Sequence, residues 1–146
     1  MKLKQVSVFL ENKTGRLSSV IRTLADAGIN ITTLTLADTQ QFGILRMIIN
    51  DWEKAKRVLE EAGAVVKVTD VLALEVEDRP GGLAEILDIV HSVGVGVEYM
   101  YAFTVKANEH AVLIFRFDDV DKAIEALCTN GVHLISPAQL FQSPCS

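Results

Sequence analysis

The chain has 146 residues, of which 49% are hydrophobic and 23% charged, with a mean hydropathy of +0.28. That excludes a disordered chain, because there is ample apolar material to offset the entropy of ordering. Fourteen basic against nineteen acidic residues give a net charge of -5, which argues against nucleic-acid binding through a basic field.

No apolar run reaches the length of a membrane helix, and Met1-Lys2-Leu3-Lys4-Gln5-Val6 moves straight into a strand-like pattern without a signal-peptide core. A cytoplasmic location with no membrane partner is expected. Cys128 and Cys145 form no disulfide framework and have no metal spacing. Cys128 falls on the apolar side of a helical pattern and is expected in a core; Cys145 lies in the polar tail.

In chain order, Val6, Val8 and Leu10 alternate with Ser7 and Phe9, the period of a half-buried strand. Leu17, Val20, Ile21, Leu24 and Ala25 follow helical spacing, and Gly28 suits a left-handed helix end. The β-branched run Ile29 to Ala37 predicts a second strand. Asp38-Thr39-Gln40-Gln41 is a polar turn, and Gly43 to Ile49 a third strand. Asp51 suits an N-cap for a second helix whose buried face is Ala55, Val58, Leu59 and Ala62. Gly63 stops that helix, and Ala64 to Val68 forms a fourth strand. This β-α-β-β-α-β order predicts an α+β, ferredoxin-like unit: an antiparallel four-stranded sheet with both helices on one face.

The pattern then repeats. Glu11 to Leu17 aligns with Glu77 to Leu83, an offset of 66 (77 minus 11), and Gly28-Ile29 falls on Gly94-Val95. From Asp51 onward the offset is 68, carrying Gly63 onto Gly131, with the two extra residues in the turn near Lys106 to His110. The length allows one ordinary domain or two small ones; the repeat predicts two, 1–69 and 70–146, with almost no linker.

Helices cover one sheet face, so the other should turn polar, and it does so incompletely. Ile44 and Ile48 oppose Leu45, Met47 and Ile49. Val95, Val97, Tyr99, Tyr101 and Phe103 oppose Met100 and Ala102. A second buried surface is expected, made by packing of the two units, by a homodimer, or by both.

The strand-to-helix loop is the strongest candidate for function. It reads Asn12-Lys13-Thr14-Gly15-Arg16-Leu17 in the first unit and Asp78-Arg79-Pro80-Gly81-Gly82-Leu83 in the second. Glycine admits close approach of a ligand to the backbone, and the helix N-terminus beyond it favours a carboxylate. An ordinary turn, with Asn or Asp capping the helix and Gly relieving strain, explains the same residues.

Asn12-x-x-Gly15-x-Leu17 followed by Gly28-Ile29-Asn30-Ile31, and again Asp78 to Leu83 followed by Gly94-Val95-Gly96-Val97, resembles the ACT domain. That family comprises small regulatory modules that bind amino acids at an interface between two units. The resemblance implies a non-enzymatic tandem ACT protein whose partner is a free amino acid. It implies ligand contacts from Asn12, Lys13, Thr14, Gly15, Arg16, Leu17, Asn30 and Ile31. In the second unit it implies Asp78, Arg79, Pro80, Gly81, Gly82, Leu83 and Val97. Gly96 replaces the amide of Asn30, and the first loop lacks the equivalent of Pro80. The alternative is a module that needs no ligand and acts as regulatory subunit of an amino-acid biosynthetic enzyme.

No cofactor is expected, and neither catalytic residues nor metal ligands can be named. His91, His110 and His133 lack the i, i+4 spacing of a helical metal site. The aromatics of the second unit suggest an RNA-binding sheet, but Asp118, Asp119 and Asp121 crowd its edge.

Overall fold

The computed structural model describes residues 2–11, 13–38, 41–103 and 110–141. Asn12, the turn insertion near Lys106, the His110 side chain and Cys145 lie outside the described residues. The chain divides into two compact units, Lys4–Thr69 and Asp70–Ser146, the latter joined by Met1–Leu3.

In the first unit, β1 (Leu3–Glu11) is followed by α1 (Arg16–Asp26), β2 (Thr33–Asp38), β3 (Phe42–Ile48) and α2 (Trp52–Glu61). Strand β4 (Val65–Glu77) then begins, and the strand order is β2-β3-β1-β4. β3 is antiparallel to both β1 and β2. The core is the one that alternation predicts. Val6, Val8, Leu10, Leu45, Met47 and Ile49 face Val20, Leu24, Ala55 and Leu59. Burying each large side chain contributes about 1.5–3 kcal/mol. Asp51 caps α2, accepting from the Lys54 N–H at 3.3 Å. Strand β2 starts four residues later than expected. After Gly28, the Ile29 N–H closes back on the Leu24 carbonyl (3.0 Å), and Ile29 and Ile31 pack on the core from an irregular segment.

The second unit runs from the later part of β4 through α3 (Gly82–Ser92), β5 (Val97–Phe103), β6 (His110–Phe117), α4 (Val120–Thr129) and β7 (Leu134–Ile135) to α5 (Pro137–Phe141). Its strand order is β5-β6-β4-β7. Both units therefore have the β-α-β-β-α-β antiparallel architecture expected. The fourth strand of the first and the first strand of the second are one uninterrupted strand, β4, with the unit boundary inside it. No Gly or Pro between Val65 and Glu77 breaks it.

The core of the second unit centres on Phe115 and Phe117, both fully buried and stacked with ring centroids 5.1 Å apart. These aromatics therefore face the helices and are not displayed for bases. Val97 corrects the face assignment. It pairs with Phe117, whereas Tyr99 pairs with Arg116, so two steps on β5 match one on β6. This bulge turns Val97 to the opposite side from Tyr99 and Tyr101. Cys128 is a second correction: it is exposed. The stripe that α4 buries is Ala123, Ala126 and Leu127, and one further residue rotates about 100° away from it.

Away from the helices, the sheets carry further buried residues. Gln5 and Ser7 are buried in the first unit, with Gln5 Nε2 donating to Ser7 Oγ at 3.2 Å and Thr69 Oγ1 at 3.4 Å. In the second unit Val71, Ala73, Ile114 and Ile135 are buried outside the helix-facing cluster.

Candidate functional site

Both strand-to-helix loops share a pair of backbone hydrogen bonds and a left-handed glycine. The Lys13 N–H donates to the Glu11 carbonyl at 2.8 Å and the Arg16 N–H to the Lys13 carbonyl at 3.2 Å. The matching bonds, Arg79 to Glu77 (2.9 Å) and Gly82 to Arg79 (3.1 Å), form in the second unit. Gly15 and Gly81 are the N-caps of α1 and α3, both left-handed, and neither helix has a side-chain cap. Each helix therefore starts on a glycine as its N-cap residue. As at any helix start, the first-turn N–H groups have no partner within the helix.

The side chains on this shared backbone differ. In the first unit Lys13 pairs with Glu11 at 3.1 Å, and Arg16 reaches the same carboxylate at 3.9 Å. The Glu11 carboxyl is held below its usual range, first by the hydrogen bond from Lys13, then by the charges of Lys13 and Arg16. In the second unit Arg79 bridges strand and helix. It bonds Glu77 through Nε and both Glu85 oxygens through Nη2 at 2.9 Å. The bonds to Glu77 and Glu85 raise the pKa of Arg79, which stays protonated. Ser19 stands where Glu85 would be, so the first loop has no such bridge, and α1 has no acidic residue in its first turn.

A cleft of about 220 Å³ opens beside the first loop, lined by Leu10, Glu11, Lys13, Arg16, Leu17, Leu36, Asp38 and Gly43. Its wall holds two cations, two carboxylates and three leucines. Glu11, Leu36, Asp38 and Gly43 were not expected there. They arrive through register, because Glu11 pairs with Phe42 and Asp38 with Gly43 at the loop end of the sheet. On the helix side, a second cleft of about 300 Å³ includes Phe9, Arg16, Ser19, Phe42 and Val65. Its counterpart of about 440 Å³ has Glu75, Gly82, Glu85 and His133 at matching positions.

The expected site residues divide into two groups within each unit. Lys13, Thr14, Gly15, Arg16 and Leu17 gather at the loop end. Asn30 and Ile31 precede β2, whose first residue Thr33 pairs with Ile48, itself paired with Gln5 at the far end of β1. Six residues of strand, about 20 Å, separate Gln5 from Glu11. Asn30 is exposed, while Ile31 packs on the core. In the second unit Asp78, Arg79, Pro80, Gly81 and Leu83 share the loop, Gly82 is buried, and Val97 stands at the other end. Among the described residues no cluster of His, Cys, Asp and Glu is arranged to hold a metal, and no helix is long and apolar enough to cross a membrane.

The architecture matches known proteins. Protein BT0572 from Bacteroides thetaiotaomicron, a solved structure, is 39% identical and superposes with a TM-score of 0.90, covering 97% of each chain. The ligand-free regulatory subunit of aspartate kinase from Thermus thermophilus shares the fold at a TM-score of 0.64 and 15% identity, over 90% of this chain and 94% of that one. The acetolactate synthase small subunit of Buchnera aphidicola subsp. Baizongia pistaciae (strain Bp) is 35% identical over 89 residues, 60% of this chain. The match spans about half of that relative's length, 55%. A family model described as an ACT domain pair matches residues 1–143, and the chain belongs to that family.

Proposed function

We propose that the chain is a non-catalytic regulatory protein that binds a free amino acid at the Gly15 loop. The observation that carries this reading is the mixed lining of the 220 Å³ cleft. Arg16 and the N-terminal end of α1 suit a carboxylate, Glu11 and Asp38 suit an ammonium, and Leu10, Leu17 and Leu36 suit an apolar side chain. A zwitterion with an aliphatic side chain matches all three.

The loop and Asn30 stand at opposite ends of one sheet, so a ligand touching both is held by two units, as in a homodimer. Binding then acts as a population shift, favouring the arrangement for which the ligand has higher affinity. A metabolite sensor works at micromolar to millimolar affinity, about -8 to -4 kcal/mol.

A second reading, an interaction module for a biosynthetic enzyme with no ligand of its own, is favoured by the similarity to an acetolactate synthase small subunit. A thermal-shift screen of the twenty amino acids separates the two. At a hundred times its dissociation constant a ligand stabilises by about 2.7 kcal/mol. Stabilisation by an aliphatic amino acid supports the sensor; no response to any of the twenty at about 10 mM, above the affinity window, sinks it.

A further inference from the structure

The two units differ in where their own carboxylates sit. The Gly96 N–H donates to Asp118 Oδ1 at 3.0 Å, while the Asp118 N–H donates to the Gly96 carbonyl at 3.0 Å. A Cβ placed on Gly96 would lie 2.8 Å from Asp118 Oδ2, so the carboxylate fills the space a side chain would take. The repeat places Asn30 and Asn50 at these two positions in the first unit. Both are exposed, and neither makes a side-chain hydrogen bond among the described residues.

The loop end shows the same contrast independently. Arg79 is held by Glu77 and Glu85, and Glu85 also places a negative charge in the first turn of α3. In the first unit Arg16 has, among the described residues, a single ion-pair partner at 3.9 Å, and α1 carries no acid there.

We propose that Asp118 and Glu85 are built-in occupants of the anion positions in the second unit, so that the chain takes one amino acid, on the groups of its first unit. The proposal rests on the sensor reading above. A tethered carboxylate competes at an effective concentration of millimolar or more. Its presence weakens the hold of the second set on any ligand carboxylate. Asp118 and Glu85 then decide occupancy together, and Gly96 is glycine because the Asp118 carboxylate needs the room.

The test is isothermal titration of the full chain with each of the twenty amino acids in turn, on the parent, Asp118→Asn and an Asp118→Ala/Glu85→Ala double variant. Asp118→Asn keeps the side-chain shape and removes its charge, as Asn50 does. The expected result is one amino acid per chain for the parent and two for the double variant. The Gly96 amide resonance should move between the parent and Asp118→Asn at the same pH, because its charged acceptor is lost. Two per chain in the parent, or one per chain in a folded double variant, overturns the proposal and leaves the sensor reading standing. Absence of binding heat from all twenty with every protein overturns both.

Discussion

Gly15 and Gly81 stand 66 residues apart and share one backbone conformation, φ 89°, ψ -9° and φ 87°, ψ -11°. Each closes a strand, caps a helix and accepts the first helical hydrogen bond, from Ser19 and Glu85 respectively, at 3.0 Å. The same loop is thus built twice, and its chemistry is set by the side chains placed on it.

The left-handed conformation makes Gly15→Val a clean test of the loop. A Cβ there would meet nothing within 4 Å, so the penalty is backbone strain, not a clash. Left-handed geometry costs an L-residue about 1–2 kcal/mol, and a β-branched one more. Urea unfolding should therefore show a loss of about 2 kcal/mol with the fold retained, and amino-acid stabilisation should disappear. Gly15→Asn should be milder on stability, because Asn tolerates this region. Full ligand response in Gly15→Val would remove the loop from the site.

Gly82 makes the opposite case. Its Cβ would run into the Glu77 carbonyl oxygen and lie 3.2 Å from Val76 Cγ1. Neither neighbour can yield, since one is backbone and the other is core. Gly82→Ala is expected to cost about 1–3 kcal/mol by overpacking. Gly82→Arg, which copies Arg16 from the first unit, should be worse still. Denaturation midpoints of both variants measure this. A neutral Gly82→Arg would mean that the second loop relaxes away from β4.

Phe115 and Phe117 set the core of the second unit. Truncating a fully buried phenylalanine typically costs about 3–5 kcal/mol. Phe115→Ala should fall in that range, and a double-mutant cycle with Phe117→Leu should return a coupling of about 0.5–1.5 kcal/mol from the stacked pair. Additivity of the two would argue against stacking in solution.

Much of this was legible before the structure. Gly15, Gly28 and Gly63 recur as Gly81, Gly94 and Gly131, all at positive φ, and that spacing carried both the repeat and the element order. Alternation groups Leu45, Met47 and Ile49 on one side of the third strand, and that side is the one packed on the helices. What stayed hidden depends on contacts between distant residues. The bulge beside Glu98 needs the β6 register, which a single strand does not encode, so Val97 was put on the wrong face. Cys128 follows an apolar residue by one position, and its exposure turns on where α4 rests. Leu36 and Asp38 join the loop cleft only because β2 pairs with β3 in one particular register. The Arg79 bridge and the Asp118 contact with Gly96 span 6 and 22 residues, beyond any local pattern.

Glu11 offers a pH test of the first loop. Its carboxyl is lowered from the ordinary value of 4.5 by Lys13 and Arg16. A depressed folded value means that the ion pair contributes stability above the ordinary value and loses it as the pH falls through the folded one. Near neutral pH, Glu11→Gln should therefore be slightly less stable than the parent. In acid, below both values, the two proteins should converge. The group is exposed, so about 1 M salt should shrink the difference by screening. Carbon-13 NMR of the carboxyl reads the titration directly, with Lys13→Met moving it back toward 4.5. A midpoint at or above 4.5 in the parent at low salt would show that Lys13 does not hold Glu11, and that the loop is free to offer both cations to a ligand.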